Sequence, residues 1–193
     1  MRILVIGSGG REHALARALA GSEHTTALFI APGNPGTAQV GANVDISARD
    51  TDGLLAFVEE EGIDLTVVGP EKPLVDGLVD RFEAAGHAVV GPTAAAARLE
   101  GSKAFADQFM ADHGIPTADF RIFEADEADA AATYLDEVGA PIVVKASGLA
   151  GGKGAFVCHT LDEANDALQQ IVDDREFGDA GDQVVIEEFM EGE

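Results

Sequence analysis

The sequence has little positive charge. Its 193 residues include 12 lysines and arginines against 35 aspartates and glutamates, which gives a formal net charge of −23. Proteins that bind nucleic-acid backbones or anionic lipid use clustered Lys and Arg to displace counterions. Here four lysines and eight arginines are spread over the whole chain. This distribution excludes a protein that binds the phosphate backbone of nucleic acids.

Cysteine and long apolar runs are also scarce. Cys158 is the only cysteine, so an internal disulfide and a Cys-rich zinc site are excluded, and a buried thiol in a reducing compartment is expected. No apolar run approaches the roughly 20 residues that span a bilayer. The apolar part of residues 1–7 is too short for a secretory signal. We therefore expect a cytoplasmic protein with no membrane partner.

The composition is typical of a folded protein, with 46% hydrophobic and 24% charged residues. The length permits one large domain or two small ones. Residues 1–100 hold 7 basic and 14 acidic side chains for a net charge of −7, whereas residues 101–193 hold 5 and 21 for −16. Together with the change of pattern described below, this asymmetry predicts two domains, over residues 1–100 and 101–193.

The first half alternates short apolar runs with helical patterns, which predicts a parallel sheet covered by helices. The predicted strands cover residues 3–6, 28–30, 44–46, 65–68 and 87–90, and the predicted helices cover 11–20, 52–61 and 74–85. We therefore expect a doubly wound α/β domain. Ligands of such domains bind at the carboxyl ends of the strands, where Gly7, Pro32, Gly69 and Gly91 fall.

The second half has a different pattern, which predicts an α+β nucleotide-binding region. The expected helices cover residues 93–113, 126–138 and 161–174, and the expected strands cover 118–123, 142–146, 155–158 and 183–188. Residues 147–154 are too few for a helical crossover, so the strands on either side of them are expected to pair antiparallel.

A glycine loop follows the first predicted strand and indicates an anion site. Residues 7–10 precede a helix whose first amides are available to an anion, and Arg11 and His13 add donors. A dinucleotide fingerprint would have its third glycine at Glu12, and no acid for a ribose hydroxyl follows Ala31-Pro32. A monophosphate therefore suits the loop better than NAD. The alternative to a phosphate site is an ordinary glycine-rich turn, in which His13 would only pack against the helix.

Two further loops fall at the same edge. Residues 32–37 form a turn rich in backbone amides, and residues 69–74 place Glu71 beside a strand end. Turn chemistry by itself is an alternative explanation for each loop. The convergence of three such loops on one edge favours a binding site.

The second half contains a lysine at the end of an apolar strand. Lys145 follows Ile142-Val143-Val144, and its burial costs desolvation energy unless an anion meets it, which predicts a phosphate partner. Residues 147–154 then form a glycine loop with Lys153 that can close over phosphates. The loop lacks the Walker arrangement, because Gly154 stands where a Ser or Thr would bind magnesium. Residues 184–193 are consistent with an adenine hinge, although each feature alone could be a surface loop.

The ordered set of motifs resembles the phosphoribosylamine-glycine ligase family of the ATP-grasp superfamily, from Met1 to Glu193. The motifs are Gly9-Gly10-Arg11-Glu12-His13-Ala14, Pro32-Gly33-Asn34-Pro35-Gly36-Thr37, Val68-Gly69-Pro70-Glu71, Leu99-Glu100-Gly101-Ser102-Lys103, Val144-Lys145-Ala146, Gly148-Leu149-Ala150-Gly151-Gly152-Lys153-Gly154 and Phe177-Gly178-Asp179-Ala180-Gly181.

The resemblance implies an ATP-dependent ligation of glycine to 5-phosphoribosylamine, through a glycyl phosphate, in purine biosynthesis. The implied ATP-binding residues are Lys103, Lys145, Gly148, Gly151, Gly152, Lys153, Gly154, Glu187, Glu188, Phe189, Met190 and Glu193. The implied phosphoribosylamine-binding residues are Gly9, Gly10, Arg11, Glu12, His13, Gly33, Asn34, Gly36, Thr37, Gly69, Pro70 and Glu71. Lys145 and Lys153 would be catalytic because they neutralise phosphate charge.

Family members are longer than this chain. The resemblance places the ligands of the catalytic Mg²⁺ or Mn²⁺ beyond Glu193, so no metal site is expected within the sequence. We therefore expect an N-terminal fragment that is monomeric and inactive by itself.

Three other functions are consistent with parts of the sequence. Another ATP-grasp ligase, of purine or carboxylase type, is disfavoured by Arg11-Glu12-His13. A non-catalytic nucleotide-binding fragment is consistent with the expected lack of metal ligands. An oxidoreductase ranks last, because the acidic ribose contact is absent.

The distribution of charge predicts a halophilic source. The cations Arg11, Lys72, Lys103, Lys145 and Lys153 lie in or beside the phosphate loops, so the excess acid forms a solvated shell. Because the Debye length falls from about 10 Å at 0.1 M salt to about 3 Å at 1 M, salt screens this self-repulsion.

We expect the melting temperature of the protein, measured by circular dichroism, to rise between 0.1 M and 1 M KCl, because the salt screens the repulsion between its acidic side chains. Full stability at low salt would contradict this prediction.

Overall fold

The computed structural model describes residues 1–192. The chain divides into two compact units, one over Met1–Ala97 and the other from Arg98 onward. Among the described residues, no helix has the length and apolar character needed to cross a membrane.

The first unit is a parallel sheet with helices, as the alternating pattern predicted. The strands are β1 (Arg2–Gly7), β2 (Ala27–Pro32), β3 (Ala42–Asn43), β4 (Leu65–Val68) and β5 (Val89–Val90). The helices are α1 (Gly10–Ala20), α2 (Thr51–Glu61), α3 (Glu71–Val75), α4 (Leu78–Ala84) and α5 (Ala94–Gly101), which ends beyond Ala97. The strand order is β3-β2-β1-β4-β5, and all four pairings are parallel. The prediction of a doubly wound α/β region is confirmed.

Strand β1 lies at the centre of the sheet, and its alternate residues enter different apolar clusters. Ile3 and Val5 pack with Ala16 of α1, whereas Leu4 and Ile6 belong to the cluster that contains α2 and α4. Both faces of the sheet are therefore covered. The strand order reverses beside β1, which is the position where ligands of doubly wound sheets bind.

Three predicted elements of this unit differ in the structure. The helix expected over 74–85 is two helices, because Gly77 between α3 and α4 has a left-handed φ of 84°. The helix expected over 93–113 is also divided, because Ser102 is extended and caps the next helix. The strand expected over 44–46 lies instead at Ala42–Asn43, where the backbone pairs with β2.

The second unit contains an antiparallel sheet. Its strands are β6 (Phe120–Glu124), β7 (Ile142–Ala146), β8 (Ala155–Cys158) and β9 (Gln183–Glu188), in the order β6-β9-β7-β8. Its further helices are α6 (Lys103–Asp112), α7 (Ala128–Val138) and α8 (Leu161–Val172). The antiparallel pairing predicted across residues 147–154 is confirmed by the register of β7 with β8.

The two faces of this sheet carry different chemistry. Val144 and Ile186 belong to the buried cluster that α7 and α8 cover, together with Leu135 of α7. Because side chains alternate along a strand, Lys145 and Glu187 lie on the opposite face. This opposite face is where α6 contacts β9. The fold thereby separates an apolar core from a face that bears charge.

A leucine pair tests the core of the second unit. Leu135 is fully buried, whereas Leu99 is 46% exposed, and both are helical. We expect Leu135→Ala to lower the free energy of unfolding by about 2–5 kcal/mol, because it removes buried contacts and leaves a cavity. Leu99→Ala serves as the control and is expected to cost less than about 1 kcal/mol. Urea denaturation measures both, and equal losses would contradict the packing described.

Candidate functional site

The first unit brings its three predicted loops to one edge of the sheet. Strands β1, β2 and β4 end side by side there, since they are neighbours and parallel. The amide of Gly33 donates to the carbonyl of Gly7 (3.1 Å), and the amide of Gly69 donates to that of Ile6 (3.0 Å). The loops after all three strands are therefore held to a common base.

Glu12 is the buried centre of these loops. The residue is 3% exposed, and its carboxylate accepts hydrogen bonds from the Gly9 amide (2.6 Å) and from Nε of Arg11 (3.0 Å). A Cβ placed on Gly7 would lie 2.5 Å from Cγ of Glu12, and one on Gly69 would overlap the same side chain. Glu12 thus occupies space that a side chain at position 7 or 69 would need.

This arrangement changes the interpretation of the glycine loop. The carboxylate of Glu12 already accepts from the Gly9 amide, so this donor at the start of α1 is satisfied by the protein itself. Arg11 remains 59% exposed in its side chain, and Nη2 lies 3.4 Å from Glu71. The hydrogen bond to Glu12 raises the pKa of Arg11, with a smaller contribution from Glu71. Arg11 therefore presents a permanent positive charge at this edge.

The loop over residues 32–37 is shaped by its own side chains. Oδ1 of Asn34 accepts from the amides of Gly36 (2.7 Å) and Thr37 (3.0 Å), and Nδ2 donates to the carbonyl of Ser8 (2.8 Å). Thr37 is fully buried, and its hydroxyl accepts from the Asn34 amide at 2.7 Å. A Cβ on Gly36 would lie 2.6 Å from His13. The Asn34 and Thr37 side chains therefore make turn contacts, and His13 lies against the loop.

In the second unit, Lys145 has an anionic partner within the protein. Its ammonium group hydrogen-bonds to Oε2 of Glu187 on the neighbouring strand. Glu187 is 7% exposed, and the side chain of Lys145 is 26% exposed. The anion expected from the position of Lys145 is thus present as a carboxylate of the chain.

Lys103 fixes the start of α6 against the end of β7. Its ammonium group donates to the carbonyls of Ala146 (3.0 Å) and Gly148 (3.1 Å), and its amide donates to that of Ser147 (2.7 Å). Burial lowers the pKa of Lys103, and the nearby charge of Lys145 lowers it further. The two ammonium groups therefore repel each other beside the glycine loop.

The glycine loop over residues 147–154 has a fixed base and an open tip. The Gly148 amide donates to Ala180, and Gly154 accepts from the Ala146 amide at 2.8 Å. At the tip, Gly151 and Gly152 have φ values of 59° and 80°, and Cβ atoms added there would meet open space. Lys153 is exposed. The tip can therefore receive a ligand without displacing packed side chains.

The predicted hinge residues follow Glu187. Glu188 pairs with Asp119, because its amide donates to the Asp119 carbonyl (2.9 Å) and Oε1 accepts from the Asp119 amide (3.0 Å). Phe189 packs edge to face on His159, with ring centroids 5.7 Å apart. Met190 is 63% exposed. Glu193 lies outside the described residues.

The sequence reasoning missed Asp107. This residue lies one helical turn after Lys103 on α6, is 7% exposed, and accepts a hydrogen bond from Thr117 over 3.4 Å. Burial raises its pKa above the ordinary 3.8, and the charge of Glu187 contributes in the same direction. The spacing of four residues from Lys103, which places both on one helix face, is the signal that could have found it.

The described residues offer few side chains that could share a metal ion. Across residues 1–192, no group of three or more His, Cys, Asp and Glu side chains is arranged to hold a metal ion. The donor set present therefore does not fit a metal site.

Two family models match the chain. They are phosphoribosylglycinamide synthetase, N domain, over residues 1–100, and phosphoribosylglycinamide synthetase, ATP-grasp (A) domain, over residues 101–193. The phosphoribosylamine-glycine ligase of Xanthomonas campestris is 58% identical over 195 residues, which cover 100% of this chain and 45% of the relative. The chain thus spans less than half the length of this relative.

Solved structures agree with the family models. The phosphoribosylamine-glycine ligase of Thermotoga maritima has a TM-score of 0.78 at 30% identity, and the alignment covers 100% of this chain and 45% of that one. The biotin carboxylase domain of the Hydrogenobacter thermophilus 2-oxoglutarate carboxylase, solved with MgADP, has a TM-score of 0.75 at 16% identity. That alignment covers 98% of this chain and 44% of the other, and the likeness shows a shared fold alone.

A substitution at Gly69 tests the placement of Glu12. We expect Gly69→Ala to lower the free energy of unfolding by about 1–3 kcal/mol, because the added methyl group overlaps a buried side chain. Gly10→Ala is the matched control, since nothing lies within 4 Å of a Cβ there. Chemical denaturation measures both variants. In a double-mutant cycle with Glu12→Ala, additive losses would contradict the contact.

Proposed function

Because the chain belongs to the phosphoribosylglycinamide synthetase family, we propose that it is the substrate- and nucleotide-binding portion of a phosphoribosylamine-glycine ligase. The overall reaction would join glycine to 5-phosphoribosylamine at the expense of ATP, giving glycinamide ribonucleotide, ADP and phosphate. The second unit would bind ATP and the first unit would bind the sugar phosphate, with the division near residue 100.

The placement of two lysines beside the glycine loop carries the ATP proposal: Lys103 donates to the carbonyls of Ala146 and Gly148, and Lys145 pairs with Glu187. Burial lowers the pKa of Lys103, and repulsion by the charge of Lys145 lowers it further. An anion that contacts both ammonium groups would relieve this repulsion. The open tip of the adjoining glycine loop would supply backbone amides to the same phosphates. A polyphosphate matches these donors better than a neutral ligand does.

The residues of this unit would act by positioning and charge neutralisation. Lys103 and Lys145 would hold the phosphates, and residues 148–154, including Lys153, would exclude water from them. Glu187 to Met190 would contact the adenosine part. No covalent enzyme group is needed for acyl phosphate formation or for its displacement by an amine.

The sugar phosphate would bind at the carboxyl edge of the first sheet. Arg11 would supply the positive charge and the amide of Gly10 would donate to the phosphate, whereas the amide of Gly36 donates to Asn34 and would help to shape the loop. Glu12, His13, Gly33, Asn34, Thr37 and Gly69 would maintain the shape of the site through the contacts described above. Pro70 and Glu71 would border the ribosylamine.

The proposal also covers the metal requirement, the cellular compartment, the oligomeric state and the source of the protein. ATP-grasp ligation would require Mg²⁺ or Mn²⁺, but the described residues do not form a metal site, so no step is assigned to a metal here. We propose a cytoplasmic, monomeric protein from a halophile.

A second candidate function is nucleotide binding without turnover by this chain alone. The lack of a three-ligand metal group within residues 1–192 favours it. Binding of ATP to the 193-residue chain without production of ADP in the presence of glycine and phosphoribosylamine would support this second candidate. ADP production that depends on both substrates would instead support a complete ligase.

Substitutions at Lys145 test the nucleotide site. We expect Lys145→Met to weaken ATP binding to the chain by about 10- to 100-fold, the value of a charge-assisted hydrogen bond, measured by isothermal titration calorimetry. Lys145→Arg keeps the positive charge and is expected to lose less affinity for ATP than Lys145→Met. Lys72→Met is the control, because the side chain of Lys72 is 45% exposed and pairs with Asp76. Unchanged affinity in folded Lys145→Met would exclude the proposed role.

A further inference from the structure

Two buried carboxyl groups lie on contacting elements of the second unit, Asp107 on α6 and Glu187 on β9. Asp107 and Glu187 are each 7% exposed. Oδ2 of Asp107 and Oε1 of Glu187 have no hydrogen-bond partner among the described residues. The remaining oxygens are occupied, since Thr117 donates to Asp107 and Lys145 donates to Glu187.

Two ionised carboxylates in this arrangement would be unfavourable. Like charges that share a buried site raise the free energy of the doubly ionised state, and each oxygen left without a donor adds a desolvation cost. A single proton removes both penalties, because a protonated carboxyl group donates one hydrogen bond to its neighbour. The direction of the Asp107 pKa agrees, since burial and the charge of Glu187 both raise it.

Other charged groups face Asp107 as well. Lys145 on β7 lowers the pKa of Asp107, as does the Thr117 hydroxyl, and both effects are smaller than that of burial. Lys103 lies on the same helix and interacts with the charges of Asp107, Glu187 and Glu100. The charge around Lys145 therefore depends on the protonation of the carboxyl pair.

We propose that Asp107 and Glu187 hold one proton between them, and that Asp107 thereby sets the net charge that Lys145 and Lys103 present to an anionic ligand. With the proton bound, the four side chains carry a net charge of one positive unit; without it, they are neutral. Asp107 is a positioning residue, since it acts through Glu187 and Lys145. The ligand part of this inference rests on the nucleotide site proposed above.

The shared proton can be observed without any ligand. In the 193-residue chain labelled with ¹³C at the aspartate carboxyl groups, NMR should show one group titrating above 3.8, the ordinary value for Asp, and Asp107→Asn should remove that signal. Asp112→Asn is the control, because Asp112 is an exposed residue at the end of the same helix. A high-titrating signal that survives Asp107→Asn, or none in the wild type, would overturn the proposal.

Stability provides a second measurement. Because the folded state binds the proton more tightly than the unfolded chain, the stabilisation from Asp107 is present below pH 3.8 and is lost as pH rises through the folded pKa. Asp107→Asn supplies an amide N–H in place of the proton and should retain the fold at neutral pH. Asp107→Ala should unfold at a lower denaturant concentration than the wild type. Equal losses in both variants would contradict the shared proton.

Nucleotide affinity tests the functional consequence. We expect ADP to bind the wild type about tenfold more weakly above the titration than below it, which by linkage means that bound ADP raises the pKa of the carboxyl pair by about one unit. The nucleotide phosphates also titrate. Asp107→Asn lacks the titrating carboxyl group, so the pH dependence that remains in this variant measures the contribution of the phosphates. An identical pH profile in both proteins would overturn the inference but leave the nucleotide site intact. Absence of ADP binding at every pH would instead refute the proposed function and the ligand part of the inference, while the NMR result would still decide the proton.

Discussion

A buried carboxylate needs a donor or a cation, and this constraint determines how both candidate sites are built. In the first unit, Glu12 obtains the Gly9 amide and the Arg11 guanidinium. In the second, Glu187 obtains the ammonium group of Lys145. A chain with only 12 basic residues among 193 thus commits two of them to internal carboxylates. The cations at these edges are held in place before any ligand arrives.

The loops of both units have fixed bases, and the glycine loop of the second unit also has an open tip. In the glycine loop of the second unit, hydrogen bonds at Gly148 and Gly154 close the base, while Gly151 and Gly152 remain without contacts. In the first unit, Asn34 ties its loop to the loop after β1. Preorganised donors lower the entropic cost of binding, and an open tip gives a ligand access. This division of roles suits sites that bind phosphates through backbone amides.

Much of the fold could be predicted from the sequence, because strand and helix periodicities are local. Strands β7, β8 and β9 fall where the apolar runs predicted them, and the short connection at residues 147–154 correctly indicated antiparallel pairing. The two divided helices were missed for a local reason of another kind. The left-handed backbone at Gly77 and the cap at Ser102 interrupt segments whose apolar pattern continues through them.

The sequence by itself determined the alternation of elements, the glycine loops and the small set of cations near them, since each depends on residue type and spacing. Only the tertiary structure decided what those residues contact. Glu12 fills the space between Gly7 and Gly69, and Asp107, on α6, meets Glu187 on β9 across 80 positions of sequence. Such contacts follow from the packing of distant segments, because burial and electrostatic interaction depend on distance in space and not on separation along the chain.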